Sequence, residues 1–486
     1  MGMKKEKNRN NNRIGSALVY ALVIMSVVLV ILTSIIQYVS SQIKFGINRV
    51  EKERSFQVAE AGIYFYRWYL AHEISGKTAQ QIKDFWQNGN PYGVGTPYEA
   101  EFSDPEGGVI GKYKIEVQPP DVSSTIVIVK STGWTYKEPN VKRVIQARFR
   151  RPSWSEYAVL ANNDMRFGSG TTVSGKIHSN KGIRFDGVAK NIVSSLLCRY
   201  DDPEGSANEF AVHTHVAPID PISPAPPPCQ TPPSRTDVFE AGRKLEVPEV
   251  DFNSVLSDLN FIKSEAQGGN GKYFDDTGGG RRIILKTNNT FDVCTVNSYN
   301  AGTYSISNYL NNSGTGTCSS CSGQCLSNYP IPDGGVIFVE DNIWVEGTIN
   351  TRKVTIAAAN LIGGAQADIY IGMNNLLYTN FDGRDIIGLL AQKNISVIRN
   401  SQNFLTIDAA LLAQSGRVGR DYYASNYKNT ITVNGSIATN LRYGFAYTDG
   451  TGYQTRNLNF DNNLLYYPPP YFPTGTEYFI DLLDDV

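Results

Sequence analysis

Apolar and polar positions change their rhythm several times along this chain. Residues 16–36 carry no charge and are apolar almost throughout. As a helix at about 1.5 Å per residue this run spans roughly 31 Å, which matches a hydrocarbon core. Beyond it, apolar residues recur at helical spacing through Ile47, Val50, Phe56, Val58, Ala59, Ile63, Tyr66, Tyr69 and Leu70. The pattern predicts one long helix over about 16–71, half in lipid and half outside. Residues 76–111 lack a clear period and read as loop, with a short helix near 79–86. The period then becomes two. Segments 113–117, 125–129 and 141–149 predict strands of an antiparallel meander, with a turn at 131–134.

Further on, V-x-G-x-I occurs at Val173-Ser174-Gly175-Lys176-Ile177, Val345-Glu346-Gly347-Thr348-Ile349 and Val433-Asn434-Gly435-Ser436-Ile437. Leu-Leu-Ala-Gln repeats at Leu389–Gln392 and Leu411–Gln414. Short strands with Gly or Asn corners suggest the stacked coils of a parallel β-helix. An Ig-like sandwich is the competing arrangement. In the coil reading Ile349 points inward, Gly347 turns a corner and Glu346 faces water.

The fold class expected is therefore mainly β with one long N-terminal transmembrane helix: an antiparallel meander, then a β-solenoid interrupted by an insertion. The expected division is a basic leader at 1–15, the long helix at 16–72 and a β region at 73–152. The solenoid begins at 153–187, a Pro- and Cys-rich insertion occupies 188–335, and solenoid and tail fill 336–486. The insertion holds a Pro-rich loop at 218–228 and an amphipathic helix at 252–262, with Asp251 as its N-cap.

Charge sharpens the picture at the N-terminus. Lys4, Lys5, Lys7, Arg9 and Arg13 precede the apolar run, which puts the N-terminus in the cytoplasm and the rest outside the inner membrane. Overall, 45 Lys+Arg balance 46 Asp+Glu. That balance leaves no electrostatic footprint for nucleic acid. The basic cluster Arg148, Arg150 and Arg151 reads as a solvated strand end.

Gly15 before Ser16 places a small residue between the basic leader and the apolar run, which resembles the prepilin peptidase site of type IV pilins. Phe56-Gln57-Val58-Ala59-Glu60-Ala61-Gly62 resembles the F-x-x-A-E-A-G stretch of PilX-type minor pilins. The resemblance covers about residues 15–70. It implies cleavage after Gly15 and a pilin-like head. It also implies assembly with other pilins or pseudopilins through the helix. Major pilins carry Glu at the fifth position after the cut, and Tyr20 stands there instead. A subunit without that carboxylate fits a minor component. The resemblance implies a structural subunit of a type IV pilus or related filament, displaying its β-rich domain for assembly priming or surface adhesion, with a surface or glycan target.

All six cysteines, Cys198, Cys229, Cys294, Cys318, Cys321 and Cys325, lie in the insertion. Outside the membrane they read as disulfides, with Cys198 and Cys229 closing the Pro-rich loop. A four-thiolate zinc site from Cys294, Cys318, Cys321 and Cys325 is the alternative. His213 and His215, at i and i+2, can share a metal but read as surface histidines. No metal or cofactor is assigned, and no catalytic residue. The alternative function is a membrane-anchored β-helix enzyme acting on polysaccharide. It draws on Asp368, Asp385 and Asp408 in the solenoid.

Overall fold

A computed structural model describes residues 12–104, 107–121, 124–205, 208–252, 258–311, 314–317, 325 and 327–486. Helix α1 runs unbroken from Asn12–Ile74. Its first half exposes apolar side chains on every side, from Leu18 and Tyr20 to Ile43 and Phe45. This half is long and apolar enough to cross a membrane. In the second half a stripe is buried, comprising Val58, Ala59, Ile63, Tyr66, Leu70 and Ile74.

That stripe packs on an antiparallel sheet. Its strands are β1 (Tyr98–Ser103), β2 (Val109–Gln118), β3 (Ile126–Thr135), β4 (Lys142–Arg150) and β5 (Phe479–Asp485), in that spatial order. The residues expected to turn at 131–134 instead extend β3, and β1 forms in a stretch expected to be loop. Helix α2 (Ala79–Asn88) starts on a capping box between Thr78 and Gln81. It adds Ile82, Phe85 and Trp86 to the same core.

The last strand, β5, comes from the far end of the chain and pairs with β4 from Phe479↔Arg150 to Asp485↔Ile145. Everything between β4 and β5 is thus a domain inserted into this head. At the neck the two crossing segments are zipped together. The Trp154 N–H donates to the Pro473 carbonyl at 3.2 Å, and the Gly475 N–H to the Pro152 carbonyl at 2.8 Å. Two members of the basic cluster are ion-paired rather than solvated, and the third, Arg151, lies over the Tyr478 ring. Arg148 meets Asp481 at 2.8 Å, and Arg150 meets Glu156 and Asp481.

The inserted domain is a parallel β-solenoid, so the sandwich is excluded by pairing direction. One face stacks Gly271–Phe274 on Val336–Val339, Lys353–Ala358 and Ile386–Ala391. It continues through the ends of Phe404–Ala413 and Tyr427–Thr439. The next strand in space is Val159–Ala161, followed by Ile177–Ser179 and Val193–Ser195. A second face repeats the order: Phe404–Ala413, Tyr427–Thr439 and Gly452–Phe460 stack, and then Thr171–Ser174 follows. The chain enters the solenoid at an inner level and winds to one end. It then passes along the outside, where α3 (Asp258–Gln267) lies, to the opposite end. From there it winds back until it meets its own entry.

The helix expected at 252–262 has residues 253–257 outside the described set, so α3 shows only the later part and extends to Gln267. Segments 188–205 and 271–285, assigned to an insertion by composition, carry strands of the same wall. Inside, Ile177, Ile183, Val345, Ile349, Ile371, Leu389, Leu411 and Ile437 form one buried column. Burying such side chains contributes about 1.5–3 kcal/mol each before conformational entropy is subtracted.

Candidate functional site

Two glycines explain how α1 docks. Gly133 on β3 faces the helix backbone, and a Cβ there would collide with backbone atoms of Ser55 and Ala59. Gly62 faces the Ser131 hydroxyl, which a Cβ would hit, with the Tyr113 ring a little farther away. Ala59 is buried completely. The Ala-Glu-Ala-Gly segment is therefore where small side chains let helix and sheet approach. Phe56, Glu60 and Ala61 flank this contact and are half-buried. Gly15 and Ser16 lie in the described helix, and Tyr20 is exposed beyond them.

Sequence reasoning missed Glu51, a fully buried carboxylate on the same helix. It accepts from the Thr135 hydroxyl at 2.8 Å and from Arg54 at 3.2 Å, with the Lys137 ammonium at 3.4 Å. Burial pushes its pKa up, but the Thr135 and Lys137 hydrogen bonds and the Arg54 charge outweigh that and hold it below the ordinary carboxylate range. Glu51 thus clamps the helix to the end of β3.

Cys198 is bonded to Cys229, and Cys294 to Cys325. The first bond closes the Pro-rich loop. Cys318 and Cys321 lie outside the described residues. A four-thiolate zinc centre is ruled out, because two of its sulfurs are already joined to each other.

The solenoid carboxylates hold turns. Asp385 accepts from the Thr379 and Asn380 N–H groups at 3.0 and 2.7 Å, and from Thr351 and Arg352. Asp408 accepts from the Tyr378 N–H at 3.0 Å and from Asn434 Nδ2 at 2.8 Å. Asp368 accepts from the Asn394 N–H at 2.8 Å. Each is occupied by hydrogen bonds that tie its coil to a neighbouring one. Burial raises the pKa of Asp368 and Asp408, as it does for any carboxyl withdrawn from water.

Glu346 corrects the expectation that it faces water. It is 2% exposed. It accepts from Arg282 Nε at 2.7 Å and from Asn374. The cause is a hairpin, Thr290–Asn300 with Ser305–Asn311, that folds over the outer side of these coils. Its Val296 and Ile306 pack on Trp344 and Tyr370 of the coils.

A cleft of about 750 Å³ separates head and solenoid. Trp86 and Lys83 of α2 form one side, and Trp154, Tyr157, Phe261 and Tyr471 the other. Lys83 bridges it to Glu265 of α3 at 2.7 Å. Aromatic faces beside charged groups suit a ligand with both apolar and hydroxyl surfaces.

No protein-family model matches the chain, and no curated protein matches it. Among solved structures, the competence-associated pilin ComZ from Thermus thermophilus is similar at 14% identity and a TM-score of 0.32, covering 90% of this chain and 97% of that one. An ice binding protein from an Antarctic Biological Consortium is similar at 7% identity and a TM-score of 0.23, covering 62% and 86%. At these scores neither likeness carries an argument about this chain.

Proposed function

We propose that this chain is a minor-pilin-like subunit of a type IV pilus or related filament. Before assembly it sits in the inner membrane, N-terminus inside, as a substrate of prepilin peptidase. It then joins other pilins through the exposed half of α1, and its solenoid is carried to the cell surface or the pilus for assembly priming or adhesion. The observation that supports this most is the division of α1. One half is docked on the head through Ala59 and Gly62, while the other shows apolar side chains all round and has no partner among the described residues. Such a surface needs lipid or other helices around it. Tyr20 in place of the acidic residue supports a minor rather than a repeating position. The head–solenoid cleft is the place we assign to a surface or glycan target.

Mass spectrometry of the membrane-extracted protein tests the reading. A mature chain beginning at Ser16 is expected, as is photo-crosslinking to other pilins from a probe at Tyr20. An intact leader in cells with active prepilin peptidase, with no such crosslink, overturns it. The polysaccharide-enzyme alternative draws on aspartates that hydrogen bonds between coils already engage, and no other observation favours it.

A further inference from the structure

At the end of the solenoid that the chain reaches first from its entry, the Cys198–Cys229 bond closes a loop that carries an unusual side-chain cluster. Strand Val212–His213 runs parallel to Ile183–Phe185, and the hairpin Arg199–Asp201 with Asn208–Phe210 folds beside it. His213 is completely buried, against the expectation of a surface residue, and Asp202 is 3% exposed. His215 follows two residues later, its ring 5.1 Å from that of His213.

The hydrogen-bond chemistry here is incomplete. His213 Nδ1 lies 3.1 Å from the Phe210 carbonyl oxygen. A carbonyl only accepts, so Nδ1 carries the proton and donates it. The other nitrogen, Nε2, then holds a lone pair. It faces Asp202 Oδ2 at 3.5 Å, and neither atom has a hydrogen-bond partner. Two acceptors are aimed at each other in a buried place, an arrangement that a positive centre between them relieves. A proton on Nε2 would join only this pair, whereas three ligand atoms converge here.

The geometry fits a metal better. Zinc binds imidazole nitrogen and carboxylate oxygen at about 2.0–2.2 Å, so two tetrahedral ligands stand roughly 3.3 Å apart. The ligand atoms of Asp202, His213 and His215 all lie within 4.8 Å of one another. A small rotation of the partly exposed His215 closes that gap. The surrounding contacts are those of a ligand-orienting layer. The Phe210 carbonyl fixes the His213 tautomer. Asp202 Oδ1 accepts from the Glu204 N–H at 3.2 Å, and Asp186 accepts from the His215 N–H at 2.8 Å. Glu209 Oε1, 3.3 Å from His215 Nε2, stands beside the cluster as a further oxygen donor. Arg184 Nη1 also lies 3.5 Å from Asp202 Oδ2, while its Nε donates to Asp186 Oδ2 at 2.8 Å.

We propose that Asp202, His213 and His215 form a binding site for one divalent transition cation of the zinc class.

The test uses the full chain in detergent, with disulfides intact, dialysed against a chelator and titrated with cobalt(II). One equivalent is expected to give the visible bands of a low-coordinate cobalt centre, and zinc is expected to displace it. His213→Gln and His215→Gln should each weaken cobalt binding by about a hundredfold or more. His215 is partly exposed, so its variant is expected to fold, which circular dichroism and an intact Cys198–Cys229 bond verify. Absence of stoichiometric binding by the wild type overturns the proposal. So does binding that His215→Gln leaves unchanged, or that Cys318→Ser with Cys321→Ser abolishes.

Discussion

Arg456 should hold together two stretches of chain almost three hundred residues apart. It is 6% exposed. Its guanidinium donates to Thr171 Oγ1 at 2.9 Å, to the Gln454 carbonyl at 3.0 Å and to the Gly168 carbonyl at 3.3 Å, as well as to the Tyr453 and Ser169 carbonyls. No carboxylate pairs with it among the described residues. These contacts sit where Arg456–Asn459 pair with Thr171–Ser174, at the seam where the returning coils meet the entry coil. Arg456→Met keeps most of the apolar stem and removes every donor. Each buried carbonyl left without a partner costs about 1–3 kcal/mol. Release from desolvating a cation, itself worth several kcal/mol, offsets part of this. The expected net loss is about 2–4 kcal/mol in denaturant unfolding. The loss should also be local. Amide hydrogen exchange should accelerate at Val159–Ala161 and Thr171–Ser174, while Val127 and Val129 in the head stay protected. A stability change below about 0.5 kcal/mol with unaltered exchange at the seam would refute the reasoning.

Gly133→Ala should destabilise the head, since its Cβ meets helix backbone, whereas Gly46→Ala meets nothing within 4 Å and should stabilise α1 by up to about 1 kcal/mol. Thermal unfolding of both variants checks this. In the solenoid, Ile349→Ala should cost about 2–5 kcal/mol through a cavity. Gly347→Val should be at least as harmful, because φ is +113° and the Leu285 backbone occupies the Cβ position; denaturant midpoints of the two variants decide it. For Glu51, the folded pKa lies below the ordinary 4.5. Its stabilisation is therefore complete above that value and disappears as pH falls through the lowered one. Glu51→Gln should be less stable than wild type near neutrality and converge with it in acid. A difference that never narrows in acid while the wild type stays folded would contradict the assignment.

Periodic features were legible from the residues alone. The uncharged run, the helical spacing after it and the alternating strands appear as α1 and β2–β4. Ile349 is buried because V-x-G-x-I reports a local alternation that neighbouring coils respect. What sequence did not disclose depends on pairings between distant segments. Phe479–Asp485 shows no preference for β4 over any other edge, and nothing local tells Val159 that Ile437 is its neighbour. Charges misled for the same reason. Glu51, Glu346 and Arg456 look like surface residues until an element from elsewhere covers them and supplies partners. His213 is a similar case, since its burial comes from a hairpin with no apolar signature of its own.

The placement of β4 and β5 has a mechanical consequence. A tug on the solenoid leaves through two covalent strands at once, at Arg150 and at Phe479, which are directly opposite each other. Both are pulled the same way, so the pair between them feels little sliding. The tension passes instead to the boundary between β4 and β3, paired from Ile126↔Arg150 to Trp134↔Lys142, and from there to α1 across Gly133 and Ala59. Loading along those strands must break their cross-strand hydrogen bonds together rather than in turn, because the bonds lie perpendicular to the pull. The head is thus wired as a shear joint between its helix and whatever the solenoid holds.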